Sequence, residues 1–409
     1  MPTDSTRVSW ICCQLGAREH YVVPRALARQ GRLARLITDA WVPPGSLFGA
    51  LPGDRSKRLR ERHHQALANV PTTHFTASLL AHELLWSVGG TRGWELYAAR
   101  NLWFQQRAVQ TVASMPGTAA RLVFAHSYAA LEIFRAAKRR GWRCVLAQID
   151  PGERHFQVVA ESAAQAPEYG PAPLAPPAEY LAHWREECAL ADHIVVNSDW
   201  SRQCLAQAGV PEEKMTVVPL AYEGQGALAS VHEYPDRFTT ERPLRLLFVG
   251  QVAVAKGIKA LLEAMALLGD APIELTVVGE RSVRVPQPFL DDKRIHWVGT
   301  VSRSAVMNHY RAADVLLFPS LSDGFGMAQV EAQGWRLPIV ASRSCGQVVT
   351  NGHNGLILPE VSAPSIADAI RTLLSEPDTL ARFSTHSDLR FRAGLEALAD
   401  ALQVIEMRQ

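Results

Sequence analysis

A repeated alternation of short apolar runs with amphipathic segments is the feature that most limits how this chain folds. The run "RLLFVG" at 245–250 ends in glycine, and "KGIKALLEAMALLG" follows it with apolar residues at helical spacing. The runs at 273–279, 295–299 and 315–320 repeat this pattern. Short apolar runs closed by glycine are typical of buried parallel strands, and helical segments between them are typical of doubly wound domains. The pattern predicts an α/β fold with helices on both faces of a parallel sheet.

The first half of the chain shows the same alternation less regularly, and it predicts a second domain of the same class. The 409 residues, 47% of them hydrophobic, are enough for two cores. We expect an N-terminal Rossmann-like domain at 1–220, a polar linker at 221–243 and a C-terminal Rossmann-like domain at 244–389. The amphipathic segment 390–407 is predicted to be a helix that packs back on the first domain.

Two segments of the first half depart from the alternation. Residues 42–115 are mostly helical in pattern. Residues 161–178, rich in alanine and proline, predict an exposed or mobile loop.

Composition and charge exclude several classes of function. The 42 Lys and Arg residues balance 40 Asp and Glu residues, which argues against a nucleic-acid-binding protein. The six cysteines form no CxxC pair and stand among apolar residues, which predicts reduced core thiols. The chain shows no secretion signal and no apolar run of about 18 residues, so we expect a cytoplasmic protein without a spanning helix.

A basic run at Arg55–Arg62 leaves two interpretations open. Such a run is usually a solvated helix face. Because Trp86 and Trp94 are close in sequence, it also suits peripheral contact with an anionic membrane surface or a lipid-linked acceptor.

The string "FPSLSDGFGMAQVEAQGWRLPIVAS" at 318–342 is the strongest functional signal. Its glycines would let backbone approach a ligand, and a helix that starts near Met327 would offer free N–H groups to a diphosphate. Glu331, one turn further, suits the two hydroxyls of a ribose, and Asp323 suits a second polyol. The string predicts a sugar-nucleotide site; a plain turn with two solvated acids is the alternative.

Lys256, in "FVGQVAVAKGIK", supplies a cation for such a site. It follows the first strand of the second domain and is predicted to begin the next helix. An ammonium placed there would stabilise a leaving diphosphate without a metal ion. A solvated surface lysine is the alternative.

These strings together resemble the retaining, nucleotide-sugar-dependent glycosyltransferases of family 4, which have the GT-B fold. The resemblance covers nearly the whole chain and is clearest over 190–360. The family's two-acid element corresponds to Asp323 and Glu331, and its phosphate-binding Arg and Lys correspond to Gln251 and Lys256. Three positions differ from the family pattern: Asp323 replaces Glu, Gln251 replaces Arg, and Cys345 replaces a glycine of the donor loop.

The resemblance implies a role for each matching residue. Lys256, Asp323 and His126 are expected to be catalytic, with His126 facing the donor sugar. The residues expected to bind the donor are Glu331, Gly324, Phe325, Gly326, Gln251, Gly346 and Gly16. Asp150, Arg18, Glu19 and His20 are weaker candidates for the cleft.

The resemblance also implies the reaction. A hexosyl group would pass from a nucleoside diphosphate sugar to an acceptor hydroxyl on a glycan, glycolipid or small molecule. No tightly bound cofactor and no metal are expected. Two alternatives stay open: an epimerase or phosphorylase on a similar scaffold, and a non-catalytic protein that binds nucleotide sugars.

Overall fold

We describe the protein from a computed structural model. The description covers residues 9–50, 59–116, 121–220, 232–387 and 394–407. Residues 221–231 of the predicted linker and the first half of the basic run lie outside these ranges.

Within the described part of the chain, the first domain contains a parallel sheet of seven strands in the order β3-β2-β1-β4-β5-β6-β7. Its strands are β1 (Ser9–Gln14), β2 (Leu33–Thr38), β3 (Thr72–His74), β4 (Arg121–His126), β5 (Arg143–Gln148), β6 (His193–Val196) and β7 (Met215–Val217). Its helices are α1 (Val22–Arg29), α2 (Thr76–Val88), α3 (Gly93–Ser114), α4 (Leu131–Arg139), α5 (Glu153–Ala164), α6 (Ala178–Leu190) and α7 (Asp199–Gln207).

The second domain contains a parallel sheet of six strands, counted over the same described ranges, in the order β10-β9-β8-β11-β12-β13. Its strands are β8 (Leu244–Val249), β9 (Ile273–Val278), β10 (Ile295–Gly299), β11 (Val315–Phe318), β12 (Ile339–Ala341) and β13 (Gly355–Ile357). The helices that follow are α8 (Ile258–Leu267), α9 (Gln287–Asp291), α10 (Arg303–Ala312), α11 (Met327–Gly334), α12 (Ala363–Ser375), α13 (Pro377–Thr385) and α14 (Gly394–Met407). The predicted α/β class with two doubly wound domains is confirmed.

The central strand β1 shows why the cysteines are core residues. Successive side chains of a strand point to opposite faces, so Cys13 packs under α3 and α4 while Cys12 packs on the other face with Tyr21 and Leu27. All six cysteines of the chain are buried and unpaired, as predicted. Burial raises the pKa of these thiols, that of Cys345 to about 12, which keeps them protonated.

The last helix, α14, packs on the first domain. Leu398 and Leu402 share a core with Trp10 and Leu27, next to α1. The Arg32 guanidinium forms an ion pair of 2.6 Å with Glu406 at the end of this helix. The chain therefore returns to its starting domain after completing the second one.

Helices α2 and α3 agree with the mostly helical pattern predicted for 42–115, but Thr72–His74, an edge strand paired with β2, was not predicted. The segment 161–178 is only partly an exposed loop: α5 continues to Ala164, and Tyr169 packs into the core of the second domain. The N–H of Arg284 donates to the Tyr169 carbonyl at 2.8 Å. Residues 171–175 are exposed, as expected.

None of the described helices combines the length and the apolar character that crossing a membrane requires.

Candidate active site

A cleft of about 1480 Å³ lies between the two domains, at the carboxyl ends of their strands. Gly16 follows β1, His126 ends β4, and Gln251 follows β8; all three line the cleft, and so does Lys256. The cleft therefore lies where ligands bind in open parallel sheets.

Lys256 is held at the cleft by a glycine. It ends a short 3-10 turn, Val254–Lys256, and α8 begins only at Ile258, so the prediction that Lys256 begins the helix was wrong by two residues. Gly257 has φ of 79°, and a Cβ there would lie 2.0 Å from the Pro319 carbonyl oxygen. Only glycine permits this approach, which presses the Lys256 turn against the loop after β11.

Asp323 forms an ion pair with Lys256. Its Oδ2 lies 2.5 Å from the lysine Nζ, and both side chains are about one quarter exposed or less. The backbone N–H of Asp323 donates to the Ser344 carbonyl at 2.9 Å, which fixes the loop. The carboxylate thus orients the ammonium in this structure, whereas the sequence suggested a direct contact with a polyol.

The glycines of the 324–346 region make close contacts with the protein itself. A Cβ on Gly324 would lie 2.4 Å from the Ile149 carbonyl oxygen, in the opposite domain. A Cβ on Gly326 would lie 2.4 Å from the Phe318 ring, and one on Gly346 would lie 2.4 Å from the Phe325 ring. Their expected contacts with a ligand stay predictions.

The start of α11 is tied to the neighbouring loop. The side-chain amide of buried Gln329 donates to the Phe325 carbonyl at 3.0 Å and to the Gly346 carbonyl at 3.4 Å. The Phe325 side chain is buried in the core, so any contact it makes with the donor would come from its backbone. The helix begins at Met327, as predicted, and its first N–H groups carry a partial positive charge.

Glu331 lies one turn into α11 and is half-buried. It accepts a hydrogen bond of 2.9 Å from the Tyr310 hydroxyl. Tyr310 is buried on α10, so it gives the carboxylate a defined orientation. Gln251 is exposed where the family has an arginine, and it lines the cleft.

His126 presents a neutral ring to the cleft. Burial lowers its pKa to about 3, and the nearby charge of Arg18 contributes in the same direction. Its ring packs nearly perpendicular to that of Phe124, with the ring centroids 5.4 Å apart. Arg18 itself lines the cleft. At neutral pH this histidine can donate or accept a hydrogen bond but carries no charge.

His155, which the sequence analysis did not select, joins the domains at the site. Its Nδ1 lies 3.2 Å from the Ser322 hydroxyl, one residue before Asp323. Burial lowers its pKa, while Asp150 on its own domain acts in the opposite direction. Asp150 accepts hydrogen bonds from the Tyr128 hydroxyl and the Gly152 N–H, at 2.8 and 2.9 Å. No local pattern around "PGERH" marks this histidine.

Arg62, from the basic run, turns inward. It forms an ion pair of 2.8 Å with buried Asp39, which also accepts the N–H of Gly16 at 3.0 Å. Arg62 lines the cleft beside the Gly16 loop. Arg62 is therefore not part of a solvated helix face, while contact of the run with a membrane surface or a lipid-linked acceptor stays a prediction. Among the described residues, no group of three or more His, Cys, Asp or Glu side chains could hold a metal ion.

Comparison with known proteins identifies the second domain. A family model described as "Glycosyl transferases group 1" matches residues 243–376. This domain is a group 1 glycosyltransferase domain. The match covers β8 to the end of α12, including the Lys256 turn and the start of α11.

The curated relatives match part of the chain. A D-inositol 3-phosphate glycosyltransferase of Kineococcus radiotolerans is 31% identical over 221 residues, 46% of this chain and 50% of the relative. An uncharacterized 41.2 kDa protein in the cps region of Klebsiella pneumoniae is 26% identical over 171 residues, 41% of this chain and 48% of the relative. The alignments thus span about half the length of these relatives.

Solved structures match over nearly the whole chain and show the fold. Sucrose-phosphate synthase from Thermosynechococcus elongatus has a TM-score of 0.67 at 19% identity, covering 98% of both chains. The Anabaena protein HepE in complex with UDP has a TM-score of 0.60 at 15% identity, covering 98% of this chain and 99% of that one. The group 1 glycosyltransferase domain is therefore the second half of a GT-B fold.

Proposed function

We propose that this protein is a retaining glycosyltransferase of family 4 that moves a hexosyl group from a nucleoside diphosphate sugar to an acceptor hydroxyl. The observation that carries the proposal is the Lys256 ammonium, held by Asp323 in an interdomain cleft. The curated relatives named as glycosyltransferases and the group 1 domain match support the transfer. The UDP in HepE supports a uridine nucleotide as the first donor to test.

Charge on the leaving group sets the chemical task of this site. As the bond from the anomeric carbon to the diphosphate oxygen breaks, the diphosphate gains negative charge. Lys256 and the N–H groups at the start of α11 would stabilise that charge without the help of a metal ion. The acceptor oxygen forms its bond to the same face of the sugar, and its proton passes to the departing phosphate oxygen.

The remaining residues would position the substrates. Glu331, oriented by Tyr310, would accept hydrogen bonds from the ribose hydroxyls. Neutral His126 would bind a hydroxyl of the donor sugar from the opposite domain. We place the reaction in the cytoplasm because the six thiols are buried and unpaired, which suits a reducing compartment.

Product analysis tests this proposal directly. Purified protein would be incubated with UDP-hexoses and a panel of glycan, glycolipid and small-molecule acceptors, and products would be identified by mass spectrometry and NMR. We expect a glycoside that retains the donor's anomeric configuration. Epimerised sugar or sugar phosphate without a glycoside would establish one rival, and binding of the nucleotide sugar without turnover would establish the other.

A further inference from the structure

The cleft has two chemically different halves. The polar half contains Arg18, His126, Asp150 and Lys256. The other half is a wall formed by α2, α3 and α5 of the first domain. We call it the apolar wall; its main side chains are Leu80, Leu84, Trp86, Trp94, Tyr97 and Phe156.

A continuous series of aromatic rings connects the apolar wall to the polar half. The Tyr97 and Trp94 rings are 5.9 Å apart between centroids, and Trp94 is 5.1 Å from Tyr180. Tyr180 stacks on Tyr128 at 4.9 Å, and the Tyr128 hydroxyl donates to Asp150 at 2.8 Å. A ligand could therefore stay on apolar surface until it reaches the polar residues.

The charged groups on this wall are largely balanced. Glu83 and Arg100 both line the cleft and form an ion pair of 2.7 Å with each other. The exposed loop 171–175 is attached to the wall because the Trp94 indole N–H donates to the Leu174 carbonyl at 2.8 Å. The loop and α3 thus border one side of the cleft.

Large apolar side chains continue outward from the wall into solvent. Leu84 is 63% exposed and Leu174 is 83% exposed, and both line the cleft. Leu85 and Val88, further along α2, are 64% and 80% exposed. Neighbouring exposed apolar side chains mark a binding surface more often than single ones do.

We propose that the apolar wall binds the alkyl chain of a lipid-like acceptor whose hydroxyl reaches the polar half. This inference rests on the proposed function for the place of the hydroxyl. The cleft of about 1480 Å³ exceeds the ~300–1,000 Å³ typical of a single ligand, so a donor and a chain both fit. The exposed leucines that line the cleft, Leu84 and Leu174, favour a chain that leaves the cleft over a compact ring.

The test uses alkyl glucosides from methyl to decyl, kept below their critical micelle concentrations. Their Kd would be measured by titration calorimetry with UDP present. Full burial tightens binding up to about fourfold per methylene, so we expect octyl glucoside to bind at least about tenfold tighter than butyl glucoside. Equal Kd values from methyl to decyl would overturn the proposal.

Two matched variants locate the effect. Leu84→Ser should remove much of the increase in affinity with alkyl chain length. Leu102→Ser, on α3 and 50% exposed, should keep that increase. Both positions are exposed, so both variants should fold. Equal losses in the two variants would show a general surface effect and overturn the proposal.

A vesicle sedimentation assay separates chain binding from membrane contact. One contrary outcome is that the protein sediments with phosphatidylcholine vesicles in a way that Leu84→Ser abolishes, and yet does not bind monomeric alkyl glucosides. In that case the wall contacts membrane and the proposal is wrong. A thermal shift by UDP reports the donor site separately. If UDP gives no thermal shift while the Kd still falls with alkyl chain length, the proposed function is contradicted. If UDP gives a thermal shift but the Kd is the same for every chain length, this inference is contradicted.

Discussion

The two walls of the cleft are built by different means. On the side that we propose binds the donor, called the donor wall, the short loops after β8 and β11 are fixed by backbone contacts, with Gly257 against Pro319 and Gly324 against Ile149. On the opposite side, the apolar wall consists of side chains on α2, α3 and α5. Backbone contacts allow few substitutions, whereas side chains on helices can be exchanged one at a time. A scaffold of this kind can therefore keep its backbone-fixed loops, and the donor chemistry proposed for them, while the side chains of the apolar wall change to suit different acceptors.

The largest effect should come from removing the cation of the donor wall. Lys256→Ala should lower the transfer rate by about 10²–10³-fold, because charge on the leaving diphosphate loses a preorganised partner. Initial rates with a saturating donor would measure this. Lys259→Ala is the matched control, since Lys259 pairs with Glu168 and Glu263 at the surface. Similar rates for both variants would contradict the assignment of Lys256.

Gly324→Ala tests whether backbone contact shapes the donor wall. The added Cβ would lie 2.4 Å from the Ile149 carbonyl oxygen, so the domains or the loop must shift. We expect a loss of about 1–3 kcal/mol in the free energy of unfolding, measured by urea denaturation, with a fall in transfer. A Cβ added at Gly49 would meet nothing closer than 3.5 Å, so Gly49→Ala should change neither the free energy of unfolding nor the transfer rate. Unchanged stability in Gly324→Ala would show that this contact is not tight.

His126→Ala tests the side-chain contribution from the first domain. We expect turnover to fall by roughly tenfold or more, because a group that positions the sugar is lost, while UDP binding changes little. Turnover and the Kd for UDP would be measured separately. An equal loss in both would argue against a role in the cleft.

The smallest effect should be a pH dependence of stability from His126. Its pKa is about 3 in the folded protein and about 6.5 when unfolded, so below pH 6.5 the unfolded chain binds the proton first. The folded state therefore loses stability as the pH falls from 6.5 towards 3, by at most about 2 kcal/mol at pH 5. Urea unfolding at pH 7.5 and 5.0 should show a smaller loss in His126→Asn. His183→Asn, at an exposed position, should behave like the wild type.

The sequence predicted those features that depend on local pattern. The strand–loop–helix order of 244–357 and the start of α11 at Met327 follow from apolar periodicity and glycine position. The three-residue edge strand at Thr72–His74 was missed because three polar residues have no period to detect. His155 and the inward turn of Arg62 were missed because their partners, Ser322 and Asp39, are distant in sequence.

The hydrogen bonds from the first domain to Gly324 couple the separation of the domains to the loop that contains Asp323. The Ser198 and Ser201 hydroxyls both donate to the Gly324 carbonyl, at 2.6 and 3.4 Å. Separating the domains must break these bonds, and Gly324 is the direct neighbour of Asp323. Under the proposed function, separation of the domains would therefore loosen the loop that orients Lys256, so release of the nucleotide product and loss of that orientation would occur together.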